Sequence, residues 1–467
     1  MQIYKNFILS IFLLFVMLPL SSCSTIQPSI EKLIKAPELT GEYYEIKQTL
    51  ESELGNGVML RYPKSGDYRS AIIMNDVDND GQEEAIVFYS QNDDANSEIK
   101  FSVLDKINGK WVNIFSTVAP GVDVEKVLIS NLMGLANNQI IINWVKANGV
   151  DRALQVYNYE NNKFNCIYTK DFLTDVFVFD IDNDLLDELV IIDRTLKTTP
   201  NVKIVKKVDN VNELDVVSYT RLREGPICYK KVTVGKLCNN VNALFLDAES
   251  EDQGYEDKAL YTEVVVLTQD YKLLNLFYAK NNSYELNQYL LNETLRFQDV
   301  FCRDVDGDSI IEIPQRLHYK YKYAGKHKVR VKPLIIWKKY INGNWNFSNV
   351  SFENKKDGYS FLFPLNWLKL NNSSSSEVTS VKDEIEPLVL AFEGENQNEI
   401  FFRNNNETKQ EVMAIKVAES TEQVGEGYLT ICRKNNFVYY VKINNKNKNF
   451  PITLKQVKKY FSIIYGG

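Results

Sequence analysis

The sequence predicts a mainly β fold: a β-propeller of five or six blades followed by a small α/β (α+β) domain. Three observations carry this. Asp76-Val77-Asp78-Asn79-Asp80-Gly81-Gln82-Glu83-Glu84, Asp180-Ile181-Asp182-Asn183-Asp184-Leu185-Leu186-Asp187-Glu188 and Asp304-Val305-Asp306-Gly307-Asp308-Ser309-Ile310-Ile311-Glu312 share carboxylates at positions 1, 3, 5 and 9. Each follows a strand-like run and precedes another. Two degenerate copies stand in register with them: Asn131 to Gln139, followed by Ile140-Ile141-Ile142, and Gly235 to Ala243, followed by Leu244-Phe245-Leu246. Finally, beyond Gly55 short runs rich in Val, Ile, Phe and Tyr alternate with Asn, Gly and Asp clusters almost to residue 350, as strands and turns do. The five copies define a unit of roughly 50 residues, the size of one propeller blade.

The elements follow in order. Residues 1–22 read as a signal segment, with Lys5 before the apolar stretch Phe7 to Leu20, which is short of the ~20 residues that span a bilayer. Leu20-Ser21-Ser22-Cys23 resembles the lipobox of bacterial lipoproteins, which implies cleavage before Cys23 and a diacylglyceryl group on its sulfur. That anchor implies an extracytoplasmic protein held to the bacterial cell membrane. Residues 23–56 are a tether, with Pro28 and Pro37, and one amphipathic helix over Glu42 to Leu54. The propeller occupies 57–352. Its clearest strands are Glu84 to Tyr89, Lys100 to Leu104, Gln139 to Val145, Ala153 to Tyr159, Glu188 to Ile192 and Thr262 to Leu267. A sixth blade could be closed by a strand over Gly57 to Tyr62. Asn108-Gly109 and Asn342-Gly343 are hairpin turns, each leading into a tryptophan strand. Residues 353–467 form the C-terminal domain, with a loop at 371–382, strands at Met413 to Val417, Tyr428 to Cys432 and Phe437 to Ile443, and a closing helix over Thr453 to Ile464.

The formal charge of -7 argues against nucleic acid, which needs clustered Lys and Arg. The basic stretch Tyr319 to Arg330 reads as a solvated strand face or hairpin. Cys166, Cys228, Cys238, Cys302 and Cys432 make no zinc-like spacing; Cys228 and Cys238 could bridge across a hairpin, or the thiols could be isolated and buried. His318 and His327 are the only histidines, which leaves little for a Ser-His-Asp triad or a His-rich metal site. Asp247 to Asp252 with Glu256 and Asp257 reads as a solvated loop rather than a glycosidase pair. Trp111, Trp144, Trp337, Trp345 and Trp367 could stack on sugars, but four of them lie in apolar strand patterns and read as core.

The nonapeptides suit calcium, which takes six to eight hard oxygen ligands at flexible geometry. Positions 1, 3 and 5 converge, position 7 can offer a backbone carbonyl, and position 9 closes the shell. The expected ligands are Asp76, Asp78, Asp80, Gln82 and Glu84; Asp180, Asp182, Asp184, Leu186 and Glu188; and Asp304, Asp306, Asp308, Ile310 and Glu312. An EF-hand would need Glu at position 12, where Val87, Ile191 and Gln315 stand. Up to three structural Ca2+ ions are expected, with affinities of roughly 10⁻⁴ to 10⁻³ M. The alternative is a set of polar turns with no ion, since alternating Asp also favours turns.

The strand, Asp-x-Asp-x-Asp-(Gly)-x-x-Glu, strand pattern over residues 70 to about 350 resembles the FG-GAP and VCBS repeats of calcium-binding, integrin-α-like β-propellers. The second and fourth copies depart from it by losing their carboxylates, and only the first acidic copy has Gly at position 6. Gly358 to Trp367 and the closing helix are similar to small domains of the PsbP/Mog1 type. The resemblance implies a surface lipoprotein without catalytic residues, whose propeller binds an envelope or extracellular protein or glycan. A polysaccharide-acting lyase or glycoside hydrolase on the same scaffold is the alternative, and an envelope-assembly factor that binds another protein is a third.

Overall fold

The computed structural model describes residues 40–464 apart from 92–97, 195–199, 209–212, 225–226, 240, 251–258, 278–293, 297–298, 318–330, 371–384, 395–397 and 407–409. Cys23, the basic stretch with both histidines, and the acidic residues 251–257 therefore lie outside the described residues. No helix among the described residues is long and apolar enough to cross a membrane.

The chain opens with helix α1 (Glu42–Leu54), as its apolar spacing requires: Ile46 and Leu50 lie one turn apart and are fully buried. It ends at Gly55, whose φ of 87° takes it out of the helix and whose N–H donates to the Glu51 carbonyl at 2.9 Å. Strand β1 (Val58–Leu60) and β2 (Ile72–Asn75) then pair side by side along one edge of β3 (Glu84–Gln91), which continues through β4 (Ile99–Ile107) to β5 (Lys110–Val118). The strand expected within 57–62 is Val58–Leu60, and it pairs with β3 of the first sheet rather than closing a sixth blade.

Four further antiparallel sheets repeat the pattern. The second is β6 (Asp123–Ser130), β7 (Gln139–Val145), β8 (Arg152–Glu160) and β9 (Lys163–Leu173). The third is β10 (Asp175–Phe179), β11 (Glu188–Asp193), β12 (Asn201–Lys207) and β13 (Leu214–Arg221), and the fourth is β14 (Ile227–Cys238), β15 (Val241–Ser250), β16 (Ala259–Leu267) and β17 (Leu273–Asn275). The fifth is β18 (Ile313–Arg316), β19 (Leu334–Ile341), β20 (Asn344–Asn354) and β21 (Tyr359–Leu362). Asn108-Gly109 and Asn342-Gly343 turn the β4–β5 and β19–β20 hairpins with positive φ at both residues, the conformation a two-residue hairpin turn demands. The fold is mainly β and of propeller type.

Alternation along single strands shows how the sheets stack. On β7, Ile140, Ile142 and Trp144 join the core shared with the first sheet, whereas Ile141 joins the core shared with the third. On β11, Leu189 and Ile191 face the second sheet while Val190 and Ile192 face the fourth. On β15, Leu244 and Leu246 pack toward the third sheet and Phe245 toward the fifth. A strand buried on both faces reads as a continuous apolar run, which is how these strands look in the sequence. The first sheet turns Ala85, Val87 and Tyr89 to α1. Leu334, Ile336, Val350 and Phe352 of the fifth share a core with the C-terminal part. Among the described residues no apolar cluster joins the fifth sheet to the first.

The C-terminal part holds a hairpin, β22 (Leu368–Leu370) with β23 (Ile385–Pro387), and an antiparallel sheet of β24 (Val389–Glu393), β25 (Glu399–Asn404), β26 (Glu411–Glu419), β27 (Leu429–Lys434) and β28 (Phe437–Ile443). The closing helix is shorter than the apolar spacing predicts. Helix α2 spans Leu454–Tyr460, and Phe461–Ile463 is strand β29, paired with β21. Phe461 stacks on Tyr359 at 5.3 Å, so an open sheet edge and an aromatic partner outcompete one more helical turn.

The cysteine bridge also differs from expectation. Cys228 and Cys238 lie at opposite ends of the single strand β14, and Cys238 is a free thiol. Strand extension separates them far beyond the ~7 Å Cα limit for a disulfide. Trp144, Trp337 and Trp367 are fully buried and Trp111 nearly so, in agreement with the core reading.

Candidate metal centres

Each intact nonapeptide is the turn between two antiparallel strands: β2 and β3, β10 and β11, and, in the fifth sheet, the segment ending at Arg303 and β18. In the fifth sheet Arg303 and Glu312 form a β-bridge across the loop base. The backbone takes left-handed conformations at positions 4 and 6: Asn79 and Gly81, Asn183 and Leu185, Gly307 and Ser309. This curls the aspartates inward onto their own backbone. Asp76 Oδ2 accepts from Gly81 N–H at 3.1 Å, Asp180 Oδ2 from Leu185 at 3.0 Å and Asp304 Oδ2 from Ser309 at 2.8 Å. Position 9 closes each turn the same way, Glu84, Glu188 and Glu312 accepting from Val77, Ile181 and Val305 at 2.8, 2.9 and 2.9 Å.

Carboxylate oxygens of Asp76, Asp78 and Glu84 come within 4.8 Å of one another, as do those of Asp180, Asp182 and Glu188, and of Asp304, Asp306 and Asp308. Asp80, Asp184 and Asp308 accept the position 7 amides of Gln82, Leu186 and Ile310 at 2.8, 2.9 and 3.0 Å. Burial pushes Glu84, Glu188 and Glu312 each up to about 7. Burial also raises Asp78, with the neighbouring carboxylates Asp80, Asp105 and Asp76 adding to the rise.

The loops differ in what meets the buried glutamate. Lys206 on β12 places Nζ 2.5 Å from both Asp182 and Asp184 and 3.2 Å from Glu188. Lys339 on β19 does the same at 2.8 Å from Asp306, 2.5 Å from Asp308 and 3.1 Å from Glu312. Burial works against both ammonium groups, but their hydrogen bonds to the aspartates outweigh it and hold both lysines well above the usual value. The first loop has Asp105 in that region instead; its charge helps raise Glu84. Glu84 is 1 % exposed and its Oε1 has no hydrogen-bond partner; Asp76 Oδ1 has none either.

The degenerate copies are closed without carboxylates. In the second, Gln139 accepts from the Leu132 N–H at 2.7 Å and donates to Asn158 at 3.0 Å. In the fourth the loop is gone: β14 and β15 pair up to Cys238 and Val241. Neighbouring loops touch in chain order. Lys207 donates to the Met133 carbonyl, Asn242 to the Asp180 carbonyl, and Ile311 N–H to the Lys236 carbonyl, at 2.9, 3.0 and 2.8 Å.

Asp105, Lys206 and Lys339 were not legible as site residues, because they sit at unequal sequence distances from the loops they serve. A second unread cluster surrounds Asp247, which is a fully buried strand residue and not part of a solvated loop. It accepts from Arg296 at 2.7 Å, Thr262 at 2.6 Å and the Cys302 N–H at 2.8 Å.

No protein-family model matches the chain, and no curated protein does. Solved structures similar to it include β-propeller-like proteins. Sqt1 of Saccharomyces cerevisiae is 9% identical over 77% of this chain and 92% of that one, at a TM-score of 0.31. The β-propeller domain of the Trilobed protease from Pyrococcus furiosus is 9% identical over 77% and 93%, at 0.28. A rhamnogalacturonan lyase from Bacillus licheniformis is 10% identical over 76% and 69%, at 0.29. At these scores the likeness carries no inference about activity.

Proposed function

We propose that the protein is a lipoprotein, anchored through Cys23 outside the cytoplasm, whose calcium-stabilised propeller of FG-GAP/VCBS type binds an envelope or extracellular ligand, protein or glycan. The observation that carries the calcium part is Glu84, a buried carboxylate with an oxygen left unpartnered beside Asp76 and Asp78. A hard divalent cation is the group that satisfies such oxygens together. The acidic side chains also accept main-chain N–H groups of their own turns, so the ion fastens a hairpin and is structural. Anchoring is supported by Leu20-Ser21-Ser22-Cys23 and the apolar stretch before it.

Glycan-array binding together with a reducing-sugar release assay tests the reading. Binding without turnover is expected. Turnover would replace it with the polysaccharide-acting enzyme, and neither signal would point to a protein partner. Metabolic labelling with a palmitate analogue tests the anchor, and a Cys23→Ala variant is expected to take up no label.

A further inference from the structure

We infer that Lys206 and Lys339 stand in for a divalent cation in the second and third acidic loops, which leaves the first loop alone to take an ion, with Asp105 as an added carboxylate. This rests on the calcium reading of the first loop. The five hairpins share one position, the residue across from position 9 on the following strand. Register pairs Ala85 with Leu104, Leu189 with Val205 and Ile313 with Lys338. One step further sets Glu84 opposite Asp105, Glu188 opposite Lys206 and Glu312 opposite Lys339. In the second sheet the same step, beyond Ile140 and Tyr157, sets Gln139 opposite Asn158, and in the fourth Ala243 pairs with Val266. The loops are therefore closed by lysine on carboxylate twice, by amide on amide, by two apolar side chains, and once by carboxylate facing carboxylate.

Only that last arrangement is incomplete without an added charge. Like charges near a buried glutamate repel, and among the described residues no salt bridge offsets those of Asp76, Asp78, Glu84 and Asp105. In the other two acidic loops the ammonium already pairs by charge with the carboxylates that would ligate calcium, within 3.2 Å of three each, although Glu188 Oε1 accepts no hydrogen bond. Calcium needs six to eight oxygens, so it would have to expel the lysine and accept its charge nearby.

The test is calcium stoichiometry by isothermal titration calorimetry on the full chain in detergent. The unmodified protein is expected to bind one ion, and Lys206→Met and Lys339→Met one further ion each. Asp105→Asn is expected to weaken the first site at least tenfold while circular dichroism stays unchanged. Two or three ions in the unmodified protein would overturn the inference, and that count needs no variant. A folded lysine variant that gains no ion would overturn it too. No ion in the unmodified protein but a gain in the lysine variants would sink the calcium reading of the first loop and uphold the lysine assignment.

Discussion

At position 6 of the second loop Leu185 holds φ at 73° with its side chain 91% exposed. A left-handed leucine costs about 1–2 kcal/mol that asparagine largely avoids. Leu185→Asn is therefore expected to stabilise the protein by about 1 kcal/mol in urea unfolding. The Asp247–Arg296 pair is buried on both sides, and Arg296→Met would leave a carboxylate unpaired, for an expected loss of about 3–5 kcal/mol. Glu84, pushed up to about 7 by burial, makes a pH prediction in chelator. The folded chain keeps a proton on it that the unfolded chain, titrating near 4.5, releases. The Glu84 contribution to stability is then full below about 4.5, falls as pH rises to about 7, and levels off. Melting curves at pH 5 and 7.5 should show this fall, and Glu84→Gln should lessen it while Glu188 and Glu312, raised alike, keep the rest. The aspartates at these sites were legible because a local motif carries them. Their counter-charges were not: Lys206 and Lys339 are set by hairpin register, and Arg296 meets Asp247 only through the tertiary fold.

Among the elements, two strands were read with the bounds they have: Gln139–Val145, buried along its whole length, and Phe437–Ile443, which is buried only in part. Periodicity misled at the C-terminus, where Phe461 and Ile464 continue the helical spacing of Leu454 and Val457. The helix is started firmly: Thr453 accepts from Gln456 N–H, and Gln456 accepts from Thr453 N–H at 2.9 Å, a capping box. Its end is decided by sheet pairing, which no local spacing records. Thr453→Ala is expected to cost about 1 kcal/mol by calorimetry. At the fourth repeat the pattern was legible as degenerate. Its conversion to a continuous hairpin goes with Ala243, which pairs with Gly235 and Val266 where the three acidic copies have the position 9 glutamate.

Across the whole molecule, calcium should raise the melting temperature relative to chelator, and Asp78→Asn should abolish the difference. Scanning calorimetry measures both, and an unchanged transition in the unmodified protein would remove the structural ion from the account. The alternation on β7, β11 and β15 has a further consequence for descent. Every interface between sheets is built from one face of a strand and the opposite face of the next. A duplicated unit inserted within the row brings both half-interfaces with it, so such a chain can lengthen or shorten by whole repeats without inventing new contacts. The loops vary more freely, since what meets position 9 comes from the following strand of the same hairpin, a lysine in the second and third acidic loops. On the proposed calcium reading, one packing scheme thus carries two kinds of turn side by side, one that borrows a mineral charge and two that supply their own from lysine.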